Sequence, residues 1–207
     1  MIELPFGYEI DKYGFIKQSS HTTFNYDVDY KMRQGTTAEM AFMRIGWICA
    51  VIGYENVSKF NVVDIGCGNG MFVECAKKVF KSAYGFDLDG ESITKEELLK
   101  TEWDLIVLTD VIEHMEDIDS IFDINWKYSM ISFPETPDVS EFDELRNWRH
   151  FKPNEHLYFL KSVGVKEWME RNGCEVICQD CFEDAIRKRW DKNKINISSI
   201  LSKRLEI

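Results

Sequence analysis

A chain of 207 residues, 44% of them apolar and 14% aromatic, is enough for one well-packed domain with a small appendage. Its 36 acidic and 25 basic residues leave a net charge of −11, which repels a phosphate backbone and argues against a nucleic-acid partner. No apolar run approaches the ~20 residues of a membrane span, and Met1-Ile2-Glu3-Leu4-Pro5 lacks the parts of a signal peptide, so a cytoplasmic location without membrane attachment is the default expectation.

Residues 1–56 read as an N-terminal extension. The first 34 or so are aromatic-rich and irregular, with Tyr8, Tyr13, Phe15, Phe24, Tyr26 and Tyr30. Thr36-Thr37-Ala38-Glu39 resembles a capping box, and the pattern from Met40 to Ile52 is helical. Such an extension serves either as a lid over a ligand crevice or as cover for a sheet edge. The core, 57–182, then alternates. A strand at Asn61–Ile65 leads through Gly66-Cys67-Gly68-Asn69-Gly70 into a helix reaching Phe80. Further strands are expected at Ala83–Asp87, Asp104–Thr109, Tyr128–Phe133 and Cys174–Gln179. Helices are expected from near Asp117 and from Lys161 to Arg171, the latter stopped by Gly173. This βαβ rhythm predicts an α/β, Rossmann-like fold with a mostly parallel sheet flanked by helices. Only about sixteen residues separate Asp87 from Asp104, so the third strand is reduced or missing. Residues 183–207 read as a basic helix or tail, in which Arg187, Lys188, Arg189, Lys192 and Lys194 form a solvated face or a docking patch.

The glycine turn is selective. A dinucleotide fingerprint needs a third glycine where Met71 stands, and no Gly-Lys-Ser/Thr follows for a P-loop. Asp64, at the mouth of the turn, repels a pyrophosphate but suits a ligand with an ammonium and a sulfonium, such as S-adenosylmethionine. Gly66 and Gly68 let the backbone approach that ligand closely. Asp87, ending the next strand, is placed to accept both ribose hydroxyls, with Leu88 beside it and Asp89 a weaker candidate.

Val63-Asp64-Ile65-Gly66-Cys67-Gly68-Asn69-Gly70, Gly85-Phe86-Asp87 and Asp104 through Asp110-Val111-Ile112-Glu113-His114 occur in the order found in class I S-adenosylmethionine-dependent methyltransferases, which the chain resembles from about Asn61 to Asp180. The Asp-Val-Ile-Glu-His run and Pro153–Leu160 are similar to the subgroup of ubiquinone-biosynthesis O-methyltransferases. The resemblance implies S-adenosylmethionine as cofactor, contacted around Asp64, Gly66, Cys67, Gly68, Gly70, Asp87 and Leu88, with Asp110 and Val111 bordering it. The adenine contact is open between Glu91-Ser92-Ile93 and Ile93-Thr94.

Methyl transfer is an in-line displacement with a good leaving group, so alignment matters most and a base is needed only for a weak nucleophile. On a helical turn Asp110 and His114 share a face. His114 then acts as base, fixes the loop by pairing with Asp110, or joins Glu113 at a metal; two ligands do not make a site, so no metal is assigned. The loop opened by Pro134-Glu135-Thr136-Pro137 should line the acceptor pocket, where Trp148 stacks or simply packs. His150 and His156 are alternative bases, and His156 equally ties this loop to the one after Thr109. Cys174-x3-Cys178-x2-Cys181 has the spacing of a radical-enzyme iron–sulfur triad, but a strand would split the three thiols between faces. The signatures of DNA base methyltransferases are absent. The reading is a methyltransferase for a small or medium-sized acceptor, at oxygen if the subgroup resemblance holds. The alternatives are an RNA, nucleotide or protein methyltransferase docking through the basic segment, and a non-catalytic cofactor-binding partner in a complex. Oligomeric state is not legible.

Overall fold

A computed structural model describes residues 2–23, 35–88, 92–187 and 196–205. The chain opens with a hairpin, β1 (Tyr8–Ile10) and β2 (Ile16–Gln18), followed by α1 (Ala38–Ile52) and a single turn, α2 (Tyr54–Val57). Then come β3 (Asn61–Ile65), α3 (Met71–Ala76), β4 (Ser82–Phe86), α4 (Lys95–Lys100) and β5 (Trp103–Thr109). Two 3-10 segments, Ile112–His114 and Ile118–Asp123, lead into β6 (Trp126–Pro134). The rest is α5 (Phe142–Arg146), β7 (Tyr158–Phe159), α6 (Ser162–Arg171), β8 (Cys174–Asp180), α7 (Glu183–Ile186) and β9 (Ile197–Arg204).

Six strands form the main sheet in the order β4-β3-β5-β6-β9-β8. The first four run parallel, and β9 lies antiparallel between β6 and β8. This is the expected Rossmann-like sheet. Alternate residues feed two cores. Val63, Ile65, Ile106, Leu108, Ile131 and Phe133 pack with Val165 and Trp168 of α6 on one face. Val62, Leu105, Val107 and Met130 pack with Ile45 and Ile48 of α1 and Phe72 of α3 on the other. Burial on both faces explains why these strands are near-continuous apolar runs.

The third strand is absent among the described residues, and β4 forms the sheet edge. The Ser92 hydroxyl accepts from Gly85 N (2.6 Å) and donates to Gly85 O (2.8 Å), so a side chain takes the place of a neighbouring strand. Thr94 and Glu97 then close a capping box on α4.

Four expectations are corrected. The N-terminal stretch is not irregular: β1 and β2 pair with β7 in a second, three-stranded sheet. Its turn is built by Asp11, whose carboxylate accepts from Tyr13 N and Phe15 N, both at 2.9 Å. The cap of α1 is Thr37, accepting from Met40 N, one residue later than the box at Thr36 implied. The helix after the glycine turn ends at Ala76 rather than Phe80. The last residues are no tail, since β9 lies inside the sheet and pairs with both neighbours. Of the basic cluster, Arg187 is described and Lys188, Arg189, Lys192 and Lys194 lie outside the described residues, as do Phe24, Tyr26, Tyr30, Asp89 and Glu91.

Candidate active site

Parallel strands on either side of β3 leave in opposite directions along the sheet, which opens a crevice at their C-terminal ends. The glycine turn forms its floor. Gly66, Gly68 and Gly70 have φ of 71°, 51° and 72°, values that L side chains rarely adopt. Gly66 N and Cys67 N both donate to Phe86 O, at 2.7 and 3.2 Å, which stitches the turn to the end of β4. A Cβ on Gly66 would come within 2.5 Å of Val111 Cγ2, so only glycine lets the loop after β5 close onto the turn. The Asp87 carboxylate stands across the mouth, accepting from Gly68 N (3.0 Å) and from Leu88 N (2.8 Å). Leu88 is 88% exposed beside it. The Cys67 side chain points away, into the space left by Gly85, where a Cβ would approach Sγ to 2.7 Å.

A buried charge network flanks this crevice. Arg44 of α1 is 1% exposed and makes a bidentate pair with Glu183 of α7, both bonds at 2.9 Å. Arg187 donates to the same carboxylate (2.8 Å) and to Asp110 (2.6 Å), and Ser132 of β6 donates to Glu183 (2.8 Å). Asp110 has φ 56°, a strained conformation for a residue with a Cβ. Burial pushes the carboxyls of Asp110 and Glu183 up, but the two arginines outweigh it and hold both below the usual carboxylate range. Asp64 fares differently. It is 4% exposed, and burial raises its pKa to about 7 against the opposing pull of Arg44.

On the other side of Asp110, three histidines and an acid converge. His114 Nδ1 lies 2.7 Å from Glu155 O, and Leu157 N donates to Glu113 O at 2.7 Å, so two bonds tie the loop before β7 to the loop after β5. The His114 and His156 rings stand edge-to-face with centroids 4.7 Å apart, and His150 stacks at 6.3 Å from His156. Trp148 covers His150 at 5.2 Å and belongs to an aromatic cluster with Tyr8, Phe142, Phe151 and Phe159. Burial lowers the pKa of all three imidazoles, to about 4 for His150 and about 2 for His156, so they are neutral at pH 7. Glu113 is 2% exposed, neither of its oxygens has a hydrogen-bond partner, and burial holds its pKa well above the ordinary value.

The family of methyltransferase domains matches residues 48–179, which span the crevice and the histidine cluster. The chain belongs to that family. Solved structures of similar fold include an S-adenosylmethionine-dependent methyltransferase from Archaeoglobus fulgidus, 16% identical, with a TM-score of 0.55 over 87% of this chain and 100% of that one. Magnesium protoporphyrin IX methyltransferase from Synechocystis, with bound S-adenosylhomocysteine, is 16% identical, with a TM-score of 0.55 over 90% of each chain. An S-adenosylmethionine-dependent methyltransferase from Clostridium acetobutylicum is 14% identical, with a TM-score of 0.56 over 86% of this chain and 96% of that one. No curated protein sequence matches the chain.

In this methyltransferase Asp87 meets the glycine turn at Gly68 and its neighbour Leu88, Val111 packs against Gly66, Asp110 is held by Arg187, and Cys67 turns its side chain to Gly85. Asp64 is placed lower than its sequence position suggested, inside β3 rather than at the mouth. Glu113, His114, His150 and His156 come together as a second group. Asp110 and His114 do not share a helical face: the segment is one 3-10 turn starting after Asp110, whose carboxylate goes to Arg187. The cysteine triad is spread along β8 and beyond it, with a bulge between Val176 and Cys178, and all three thiols are free. Sequence reasoning missed Arg44 and Glu183. The signal for Arg44 was its place on the buried stripe Ala41-Arg44-Ile45-Ile48 of α1.

Proposed function

We propose that this methyltransferase uses S-adenosylmethionine to methylate a small or medium-sized acceptor at an oxygen atom. The observation that carries the reading is the Asp87 carboxylate, fixed at the end of β4 opposite three left-handed glycines. Such a carboxylate suits a ribose diol, and a glycine floor stitched to Phe86 O admits a ligand against bare backbone. Leu88, exposed next to Asp87, offers an apolar face for the adenine. Asp64, buried at the end of β3, gains its negative charge as pH rises through about 7 and then favours an ammonium or sulfonium nearby. When bound, the cofactor supplies an electrophilic methyl group on a positively charged sulfur. The chain supplies alignment and a dry wall of aromatic side chains beside it. The imidazoles of His114, His150 and His156 are neutral at pH 7, so each keeps one ring N–H and has one basic ring nitrogen that can accept a proton from a hydroxyl acceptor. Asn69 Nδ2 donates to Thr36 O at 3.0 Å, which anchors the N-terminal extension at the turn and supports its role as a cover for the crevice. Arg187 turns inward to Asp110, which takes it out of any docking patch.

The test is methyl transfer from labelled S-adenosylmethionine into fractionated small molecules, with products examined by mass spectrometry and by their stability to mild base. A labelled methyl ether or ester supports the reading. Label confined to nitrogen, or to RNA or protein, overturns it.

A further inference from the structure

We infer that Glu113, His114 and His156 form a binding site for one divalent transition-metal ion of the zinc or cobalt kind, next to the cofactor crevice. One ligand atom from each residue lies within 4.8 Å of the other two. Bonds of ~2.0–2.2 Å to a common ion require donors about 3–3.5 Å apart, so small side-chain rotations close the set. Among the described residues this is the one such cluster of three, and it contains no cysteine.

Three observations point to a cation. First, both oxygens of Glu113 are buried without a hydrogen-bond partner, a costly arrangement that an ion bonded to the carboxylate would relieve. Second, His114 Nδ1 meets a backbone carbonyl, Glu155 O, at 2.7 Å. That bond fixes the proton on Nδ1 and presents the Nε2 lone pair, which lies 3.8 Å from Glu113 Oε1. Metal-ligating histidines are commonly oriented by such a bond. Third, His156 is 4% exposed and brings a second imidazole into an interior where bulk water cannot solvate a lone ion. Asp110 is outside the set, because Arg187 holds its carboxylate at 2.6 Å.

Two imidazoles and one carboxylate favour borderline transition metals over magnesium or calcium, which prefer all-oxygen shells. Three protein ligands leave a coordination position open. The role of the ion rests on the oxygen-methylating reading above. Held by Glu113, His114 and His156, such an ion would polarise the acceptor's hydroxyl and lower its pKa, the proton passing to water. The oxygen lone pair forms the new C–O bond as the methyl–sulfur bond breaks, and the thioether leaves.

The experiment uses the full chain, stripped with a chelator and titrated with Co2+ and then Zn2+, following the visible absorption of bound cobalt. S-adenosylmethionine binding is measured by calorimetry on the same sample. We expect one saturable cobalt per chain, displaced by zinc, with affinity reduced by about a hundredfold in Glu113→Gln and in His156→Ala. His150→Ala should keep the cobalt spectrum, and each variant's thermal unfolding reports whether it is folded. Cobalt uptake unchanged in both ligand variants places the metal elsewhere, on free thiols for instance, and overturns the site. A protein that binds S-adenosylmethionine but no cobalt also overturns it, and leaves the reading of the crevice standing. Cobalt uptake without S-adenosylmethionine binding supports the site and refutes that reading.

Discussion

Asp64→Asn should stabilise the ligand-free protein and weaken the cofactor-bound one. Asp64 is 4% exposed, and its pKa is raised from 3.8 to about 7. In the unfolded chain the side chain ionises above pH ~4. In the folded chain it ionises only above about 7. Folding therefore takes up a proton in that window, and stability falls as pH rises through it. At ~1.4 kcal/mol for each pH unit of difference, the ionised form costs the fold about 4 kcal/mol above pH 7. Asparagine has the same shape and no charge. The substitution should gain about 2–4 kcal/mol at pH 8, or about 5–15 °C in Tm for a domain of this size, and close to nothing at pH 4. A cationic ligand favours the ionised carboxylate, so the parent should bind S-adenosylmethionine more tightly as pH rises through about 7, and the variant should lose that dependence. Thermal unfolding at the two pH values and calorimetry across them provide the readout. A variant less stable than the parent at pH 8, or a shift of equal size at both pH values, would refute the reasoning.

Gly66→Ala must move Val111, since its Cβ would sit 2.5 Å from Cγ2 on a backbone at φ 71°; cofactor affinity should fall beyond detection in calorimetry while circular dichroism still shows a folded sheet. Glu183→Ala leaves Arg44 buried without its bidentate partner and should cost about 3–5 kcal/mol in urea unfolding, whereas Val163→Ala at a 67% exposed site should stay within about 0.5 kcal/mol. Truncation after residue 196 removes a strand bonded on both sides and should abolish cooperative thermal unfolding; a tail could be removed without effect.

The elements legible in the sequence are those whose burial is simple. β3 spans Asn61–Ile65 as expected because a strand apolar on both faces, followed by a glycine turn, has few alternatives. β9 escaped notice because three of its six buried positions are serines, Ser198, Ser199 and Ser202, which interrupt the apolar pattern of Ile197, Ile200 and Leu201. Two of the serines pair across the sheet with hydroxyls of β6, Ser202 with Ser129 at 2.7 Å and Ser199 with Ser132 at 3.1 Å. Small hydroxyls that satisfy one another pack like apolar residues but carry no hydrophobic pattern. The site divides along the same line. The glycines and Asp87 announce themselves through local turn chemistry. The joining of Glu113 and His114 with His156 depends on a contact 41 residues distant, from His114 to Glu155 O. The pairing of Arg44 with Glu183 spans 139. Neither pairing can be read from one element alone, although the place of Arg44 on the buried stripe of α1 marks it as needing a partner.

The account's central claim is that the crevice after β3 holds S-adenosylmethionine by its ribose. Calorimetry of the parent and of Asp87→Ala tests it most directly. The parent should bind with micromolar affinity, and the substitution should weaken binding at least tenfold, by ~1.4 kcal/mol or more. Equal affinity in the two proteins would contradict it, as would a parent that ignores S-adenosylmethionine and binds a dinucleotide.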